Sequence, residues 1–226
     1  MYSKLDPWVY YVDNNNLSYK TVKTKSKVFG DLQYNIRYVE SRNCIQVNFQ
    51  CTAGYKDWIS NFDFPSAPYE KILLPDGSYV TMKVHSGWMN MYLLGKVQIR
   101  EEFNALYSAH KDAVVEVIGY SLGGALAQIC AQDLSYNFVI KPYLITFGSP
   151  NPWYGNATTK YVQNYCVDMD NSAQYDNYMD IVTTVPPEWL GYHKIKDVKV
   201  DIKRNWLEMF KPQIYHCKYS LPEIYN

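Results

Sequence analysis

The sequence predicts an α/β protein, because strand-like and helix-like runs alternate along it. The clearest unit is an apolar run at 113–118, a glycine-containing turn at 119–124 and a helix-like run at 125–131. A second strand-like run, 143–147, follows that helix, as expected when strands and helices alternate. The 226 residues are 47% apolar, which suits one domain over 1–226 with a full core.

Composition excludes several classes of partner. Lys plus Arg and Asp plus Glu both total 22, so no basic field favours nucleic acid or an anionic membrane surface, and lipid contact must be apolar. We expect no transmembrane segment, and the N-terminal residues lack a signal-peptide pattern. These features predict a soluble, intracellular, cytoplasmic protein, and the bias toward Tyr, Asn and Lys suggests a viral or bacterial source. The five cysteines are scattered without C-x-x-C spacing, which predicts reduced thiols and neither a disulfide framework nor a zinc site.

The first part of the chain contains the elements that lead to the central turn. Residues 1–30 are polar, with a loop predicted at 14–16 and an edge segment lying over the sheet. The predicted strands are 34–39, 45–50 and the hairpin pair 72–74 and 79–84, and a helix is predicted over 91–110. The apolar residues of that helix at helical spacing are Leu94, Val97, Phe103, Leu106 and Tyr107.

The turn at 119–124, Gly-Tyr-Ser-Leu-Gly-Gly, has the G-x-S-x-G pattern of a nucleophile elbow. A strand that reverses sharply into a helix leaves Ser121 at a strained apex, and side chains at Gly119 and Gly123 would collide as the two elements close. The first turn of the helix would bring N–H groups and its positive dipole end to the hydroxyl. Ser121 is therefore a candidate nucleophile, and the alternative is a glycine turn without catalytic function.

After the elbow helix, strands are predicted at 143–147, 161–167 and 198–202. The strand at 143–147 ends in Gly-Ser-Pro-Asn-Pro, a sequence that turns the chain at the carboxyl end of a central strand. A further segment, 180–187, reads Asp-Ile-Val-Thr-Thr-Val-Pro-Pro.

Several of these motifs together resemble the class 3 (fungal-type) lipases, a branch of the α/β-hydrolases. Gly-Tyr-Ser-Leu-Gly-Gly is similar to the family's elbow, 146–150 to its T-F-G-x-P, 180–187 to its D-x-V-x-x-x-P-P, and 84–88 to its V-H-x-G-F. The segment 49–58 is similar to the family's F-R-G-T followed by D-W, although Gln50 and Cys51 replace the Arg and Gly. The resemblance covers about 30–226 and implies an α/β-hydrolase fold, with a central, mostly parallel sheet flanked by helices.

The resemblance implies that Ser121, Asp180 and His216 form a catalytic triad. Asp180 occupies the family's acid position, although the nearby Asp168, Asp170 and Asp176 are rivals. A late histidine followed by a tyrosine is how the family presents its base, which identifies His216.

Two other histidines are candidates for the base. His193 also follows Asp180 and stays open as an alternative. His85 precedes the nucleophile, contrary to the Ser, Asp, His order of the superfamily, and is predicted to be structural.

The resemblance also implies an oxyanion hole formed by Thr52 and by Leu122, the residue after the nucleophile. Two such donors near the developing oxyanion are each worth about 10² to 10³ in rate. In the alternative, Thr52 merely ends a strand. Residues 58–69 occupy the position of the family's lid, and because Pro65 and Pro68 interrupt them we expect a small or static cover, or plain packing.

The function implied is that of a serine esterase or lipase that hydrolyses carboxylic esters of acylglycerols through an acyl-enzyme. The implied partner is a lipid or ester substrate at a lipid–water interface, with no nucleic acid, metal or cofactor, and the oligomeric state is not indicated. Phospholipase A-type or small soluble ester hydrolysis is an alternative. A catalytically silent hydrolase scaffold used for binding is an alternative from another class.

Overall fold

The computed structural model describes residues 6–23, 31–50, 64–74, 76–177, 179–195, 198–200, 216 and 219. The strands are β1 (Lys20–Val22), β2 (Leu32–Val39), β3 (Cys44–Phe49), β4 (Ser66–Leu73), β5 (Tyr79–His85), β6 (Val114–Tyr120), β7 (Tyr143–Phe147), β8 (Trp153–Tyr154), β9 (Ala173–Asn177), β10 (Tyr192–His193) and β11 (Val198–Val200). The helices are α1 (Pro7–Asn16), α2 (Ser86–Ala109), α3 (Leu122–Phe138) and α4 (Asn156–Tyr161). Single 3₁₀ turns lie at Glu40–Arg42, Ile181–Thr184 and Glu188–Leu190, and a π-helical stretch at Val162–Cys166.

The main sheet places the ends of its central strands at one edge. Within the described residues its order is β1-β2-β3-β6-β7-β9-β11, with β3 to β11 parallel and β1 and β2 antiparallel at one side. In the register of these strands, Phe49 pairs with Gly119 and Gly119 with Thr146. The carboxyl ends of β3, β6 and β7 therefore meet beside Ser121, as the predicted mostly parallel sheet requires.

Both faces of this sheet are covered, so its central strands are buried on both sides. Val117 and Leu144 pack with α2 and α3, while Ile118, Ile145 and Phe147 pack with α1. Helix α3 is buried from its first residue to Ser135. The elbow therefore lies between two packed layers, which fixes the direction in which Ser121 points.

A smaller antiparallel sheet, in the order β10-β8-β5-β4, lies beside the main one. The predicted hairpin is present as β4 and β5. Because β4 begins at Ser66, residues 66–69 of the segment predicted as a cover belong to a strand that pairs with β5. Phe64 and Pro65 precede this strand, with their carbonyls accepting from the Tyr192 hydroxyl and the Ser86 N–H, and residues 58–63 lie outside the described residues.

The predicted strand at 161–167 is wrong, because the chain there is helical. Helix α4 ends at Tyr161 and continues directly into the π-helical stretch Val162–Cys166. Val162 and Cys166 are buried while Asn164 and Tyr165 are exposed, so the buried side recurs after a full helical turn.

The N-terminal region also differs from the prediction. The edge segment is present as β1, but 14–16 form the last turn of a helix instead of a loop. Asp6 caps that helix by accepting from the Trp8 N–H at 2.8 Å. The side-chain amides of Asn15 and Asn16 donate to carbonyls one turn back, at 2.8 and 2.9 Å, which helps these poor helix formers to continue the helix.

The predicted helix at 91–110 is confirmed as α2, which begins earlier, at Ser86. Of its predicted apolar face, Phe103 is buried and Leu106 and Tyr107 are partly buried against the core, but two positions differ from the prediction. Leu94 and Val97 are 48% and 65% exposed. The buried side chains of α2 include Trp88, Tyr92 and Phe103. Two apolar stripes share this helix, and the sequence pattern alone cannot tell which one faces the sheet.

No helix in the described parts of the chain is long and apolar enough to cross a membrane.

Candidate active site

Ser121 lies at the sharp turn between β6 and α3 and has φ 58° and ψ −126°. A non-glycine residue in this region stores about 1–3 kcal/mol of backbone strain. The Ser121 N–H donates to the Phe147 carbonyl at 2.9 Å, and the Gly124 N–H donates to the Ser121 carbonyl at 2.9 Å. These bonds hold the strained apex in place and confirm the predicted strand, turn and helix.

The glycines of the elbow allow close approach of backbone segments. A Cβ on Gly119 would lie 2.2 Å from the Gly123 carbonyl oxygen, and one on Gly123 would lie 2.5 Å from the Phe49 carbonyl oxygen. A Cβ on Gly124 would meet the Ser149 side chain at 2.8 Å. The predicted collisions at Gly119 and Gly123 are thus present, and Gly124 adds a third.

The structure brings Ser121, His216 and Asp180 into one chain of hydrogen bonds. His216 Nε2 is 2.7 Å from Ser121 Oγ, and His216 Nδ1 is 2.7 Å from Asp180 Oδ2. All three side chains are at most 1% exposed. An ionised carboxylate only accepts, so we assign the proton to Nδ1, which leaves Nε2 to accept from the Ser121 hydroxyl.

Asp180 is held by two further donors. Its Oδ1 accepts from the Val182 N–H at 2.9 Å, and its Oδ2 accepts from the Tyr219 hydroxyl at 2.9 Å. The Tyr219 oxygen itself accepts from the Asn177 N–H at 2.8 Å, so its own proton points to Asp180. Burial raises the pKa of Tyr219 well above its ordinary value, which keeps the hydroxyl a donor. Sequence reasoning noted a tyrosine after the base but not this contact.

Gly148, in the turn after β7, leaves room for the acid and the base. It has φ +55°, and a Cβ there would lie 2.8 Å from Asp180 Oδ2, 2.9 Å from Tyr219 Cε2 and 3.1 Å from His216 Cε1. Sequence reasoning assigned this residue only the turning of the chain. The structure places it in contact with two members of the hydrogen-bond chain.

The rival histidines lie elsewhere. His85 ends β5, is 3% exposed and packs its ring 4.1 Å from that of Trp88. His193 lies in β10, paired with Trp153. His216 is the histidine in hydrogen-bond contact with Ser121.

The rival carboxylates have other surroundings. Asp168 accepts from the backbone N–H groups of Asp170 and Asn171, at 3.2 and 3.3 Å, within a turn. Asp170 is exposed, and the buried Asp176 forms an ion pair with Lys194. Asp180 is the carboxylate bonded to His216.

The predicted oxyanion donors are only partly within the described residues. Leu122 is buried and is the first residue of α3, so its N–H lies at the positive end of a 17-residue helix, directly after Ser121. Thr52 lies outside the described residues, and its role stays a prediction. Among the residues that the structure describes, no group of three His, Cys, Asp or Glu side chains could hold a metal ion.

The mixed sheet with flanking helices and the strained serine turn at the end of β6 define an α/β-hydrolase. The family model of lipase (class 3) matches residues 46–190, and the chain belongs to that family.

Two curated relatives and one solved structure illustrate the similarity. A lipase of Rhizomucor miehei is 28% identical over 190 residues, which span 76% of this chain and 46% of the relative. The chloroplastic phospholipase A(1) DAD1 of Arabidopsis thaliana is 25% identical over 181 residues, 74% of this chain and 39% of the relative. The crystal structure of a lipase from Rhizopus microsporus var. chinensis has a TM-score of 0.66 and 26% identity, covering 83% of this chain and 62% of that one. The chain thus spans less than half the length of the two curated relatives.

Proposed function

We propose that this protein is a serine esterase that hydrolyses carboxylic esters of acylglycerols. The observation that carries the proposal is the buried hydrogen-bond chain from Ser121 through His216 to Asp180, with two distances of 2.7 Å. Nucleophile and base within hydrogen-bond reach, and a third group that orients the base, are the geometry of an activated serine.

In the proposed mechanism Ser121 Oγ attacks the ester carbonyl carbon while His216 Nε2 takes the hydroxyl proton. Asp180 keeps the Nδ1–H tautomer and stabilises the imidazolium that forms. The tetrahedral intermediate collapses as His216 returns the proton to the leaving alcohol, which leaves an acyl-Ser121 ester. A water molecule then gives a proton to His216 and attacks the acyl carbon. As the second tetrahedral intermediate collapses, His216 returns that proton to Ser121 Oγ and the carboxylic acid is released.

The oxyanion that forms on the carbonyl needs donors that are already in place. We assign this role to the backbone N–H of Leu122 and to Thr52, the latter from the family resemblance. The position of Leu122 at the start of α3 supports the first assignment, because the N-terminal N–H groups of a helix favour negative charge. Each donor should contribute about 10² to 10³ in rate.

The substrate class rests on the relatives and on charge. One relative carries the name lipase and another the name phospholipase A(1), so both acylglycerols and the acyl esters of phospholipids are candidates, and we propose acylglycerols first. The balanced charge of 22 basic and 22 acidic residues supports contact with lipid through apolar groups at a lipid–water interface.

The test is ester hydrolysis by the wild-type protein and by Ser121→Ala. Loss of the nucleophile should lower kcat by about 10⁶ and leave the melting temperature near that of wild type. A fluorophosphonate should label wild-type protein and not the variant. A panel of p-nitrophenyl esters, triglycerides and phospholipids then ranks the substrates. Substantial hydrolysis by purified Ser121→Ala would refute the mechanism, and a wild-type protein that is neither labelled nor active would favour the binding scaffold.

A further inference from the structure

Tyr120, which directly precedes Ser121 in the elbow, contacts the base in two ways. Its hydroxyl donates to the backbone carbonyl oxygen of His216 at 2.6 Å. Its ring stacks on the His216 imidazole, with centroids 5.1 Å apart and planes inclined by 20°. One side chain of the nucleophile strand thus holds both the backbone and the ring of a residue 96 positions away.

The ring of Tyr120 is itself held by edge-on contacts. Tyr11 of α1 lies 5.3 Å away at 74°, and Tyr219 lies 6.1 Å away at 63°. Tyr11 also meets Phe147 of β7 edge-on at 5.4 Å. Edge-to-face pairs of this kind stabilise an arrangement beyond the burial of area. Tyr120 is therefore a fixed support, because its ring has neighbours on several sides.

We propose that Tyr120 is a positioning residue that keeps His216 in register with Ser121, an inference that rests on the proposed function. The hydroxyl fixes the main chain at the base, and the stacked ring limits rotation of the imidazole, so that Nε2 stays 2.7 Å from Ser121 Oγ. The Tyr120 ring lies 5.1 Å from the His216 imidazole, within the distance at which an aromatic face stabilises a cation. His216 becomes a cation when it takes the serine proton. Asp180 and the edge of the Tyr219 ring also contact His216.

Two substitutions separate the hydroxyl from the ring. Tyr120→Phe keeps the stacked ring and removes the bond to the His216 carbonyl, and we expect kcat to fall about three- to tenfold with KM unchanged. Tyr120→Leu removes both contacts, and we expect a loss of about 10² in kcat, the scale on which small misplacements of catalytic groups act. The rate of fluorophosphonate labelling of Ser121 should fall in parallel, because it reports activation of the nucleophile without acyl-chain binding.

Tyr38→Phe is a matched control. Tyr38 also stacks on a histidine, His110, with centroids 3.6 Å apart, and its hydroxyl donates to Asn43 Oδ1 at 2.9 Å. Asn43 directly precedes β3, whose other end pairs with Gly119 beside Ser121. The control should lose a similar amount of thermal stability while its kcat stays at the wild-type value.

A third measurement does not depend on catalysis. The Nδ1 proton between His216 and Asp180 should give a downfield proton NMR signal, which is assigned by its loss in His216→Gln. This proton should exchange with water faster in Tyr120→Leu than in wild type. Unchanged kcat, labelling rate and proton exchange in both Tyr120 variants would overturn the proposal and leave Tyr120 a packing residue. If wild type shows neither hydrolysis nor labelling, the proposed function fails, and the NMR comparison still decides whether Tyr120 positions His216.

Discussion

Replacing Gly148 with alanine should damage catalysis far more than stability. The residue has φ +55°, where an L side chain costs about 1–2 kcal/mol, equivalent to roughly 2–8 °C in melting temperature for a protein of this size. The added Cβ would also lie 2.8 Å from Asp180 Oδ2 and 3.1 Å from His216 Cε1. The distances from this Cβ to Asp180 Oδ2 and to Tyr219 Cε2, 2.8 and 2.9 Å, are both shorter than non-bonded contacts tolerate, so Asp180, Tyr219 or both must move.

Asp180 has little freedom to yield. Its Oδ2 is bonded to both His216 and Tyr219, and its Oδ1 to the Val182 N–H. A shift of Asp180 therefore moves His216 away from Ser121. Because a misplacement of about 1 Å at reacting groups can cost 10² in rate, we expect kcat of Gly148→Ala to fall about 10²-fold.

The assay is hydrolysis of a p-nitrophenyl ester under saturating conditions, with the folded fraction measured by circular dichroism. Gly155→Ala is the matched control, since Gly155 also has a positive φ, +87°, but a Cβ there would meet nothing within 4 Å. The control should lose stability through backbone strain alone, without a steric clash, and keep its kcat. Equal kcat in the two variants, per folded molecule, would refute the reasoning that Gly148 makes room for the acid and the base.

Three further predictions follow from the site and the core. His216→Gln should lower kcat by several orders of magnitude at an unchanged melting temperature, whereas His193→Gln should cost far less; the reverse order in steady-state assays would assign the base to His193. Tyr219→Phe removes one donor to the triad acid and should lower kcat about three- to tenfold without changing KM, which the same assay measures. Burial raises the thiol pKa of Cys44 to about 11 and of Cys166 to about 12, so Ellman's reagent at pH 8 should label neither until the protein unfolds. Since these folded-state values lie above the ordinary value of 9.0, the fold favours the protonated thiols, and the free energy of unfolding measured by urea titration should fall as the pH rises from about 9 toward 11.

The elbow could be predicted because its causes are local. Gly119, Ser121 and Gly123 lie within one short stretch, and the apolar strand before it and the helix after it determine which backbone atoms approach each other. The family motifs added Asp180 and His216. The structure places His216 in contact with Ser121, 95 positions away, and Asp180 in contact with His216, 36 positions away. Their catalytic roles remain proposals for the assays above.

Two sequence predictions were wrong because tertiary packing decides them: the strand at 161–167 and the burial of Leu94 and Val97 on α2. The stretch Val162–Cys166 has β-branched and aromatic residues typical of a strand, yet its burial follows a helical period. On α2, Leu94 and Val97 are as apolar as the residues that face the sheet, and only tertiary packing decides between the two stripes. In both cases the deciding contacts come from segments distant in sequence.

The role that we assign to Tyr120 shows what information was lacking. Side chains alternate along a strand, so Ile118 and Tyr120 of β6 point to the same face of the sheet, and Ile118 packs in the cluster that includes Tyr11 of α1. The alternation along the strand places Ile118 and Tyr120 on one face, and the structure shows that this face packs with α1. The sequence alone does not say that α1 and the segment carrying His216 both reach that face, because a chain with 23 tyrosines offers no reason to single out Tyr11, Tyr120 or Tyr219. The hydroxyl of Tyr120 becomes informative only when the carbonyl of His216 is placed 2.6 Å from it, and the Tyr120→Phe experiment measures how much that contact contributes to catalysis.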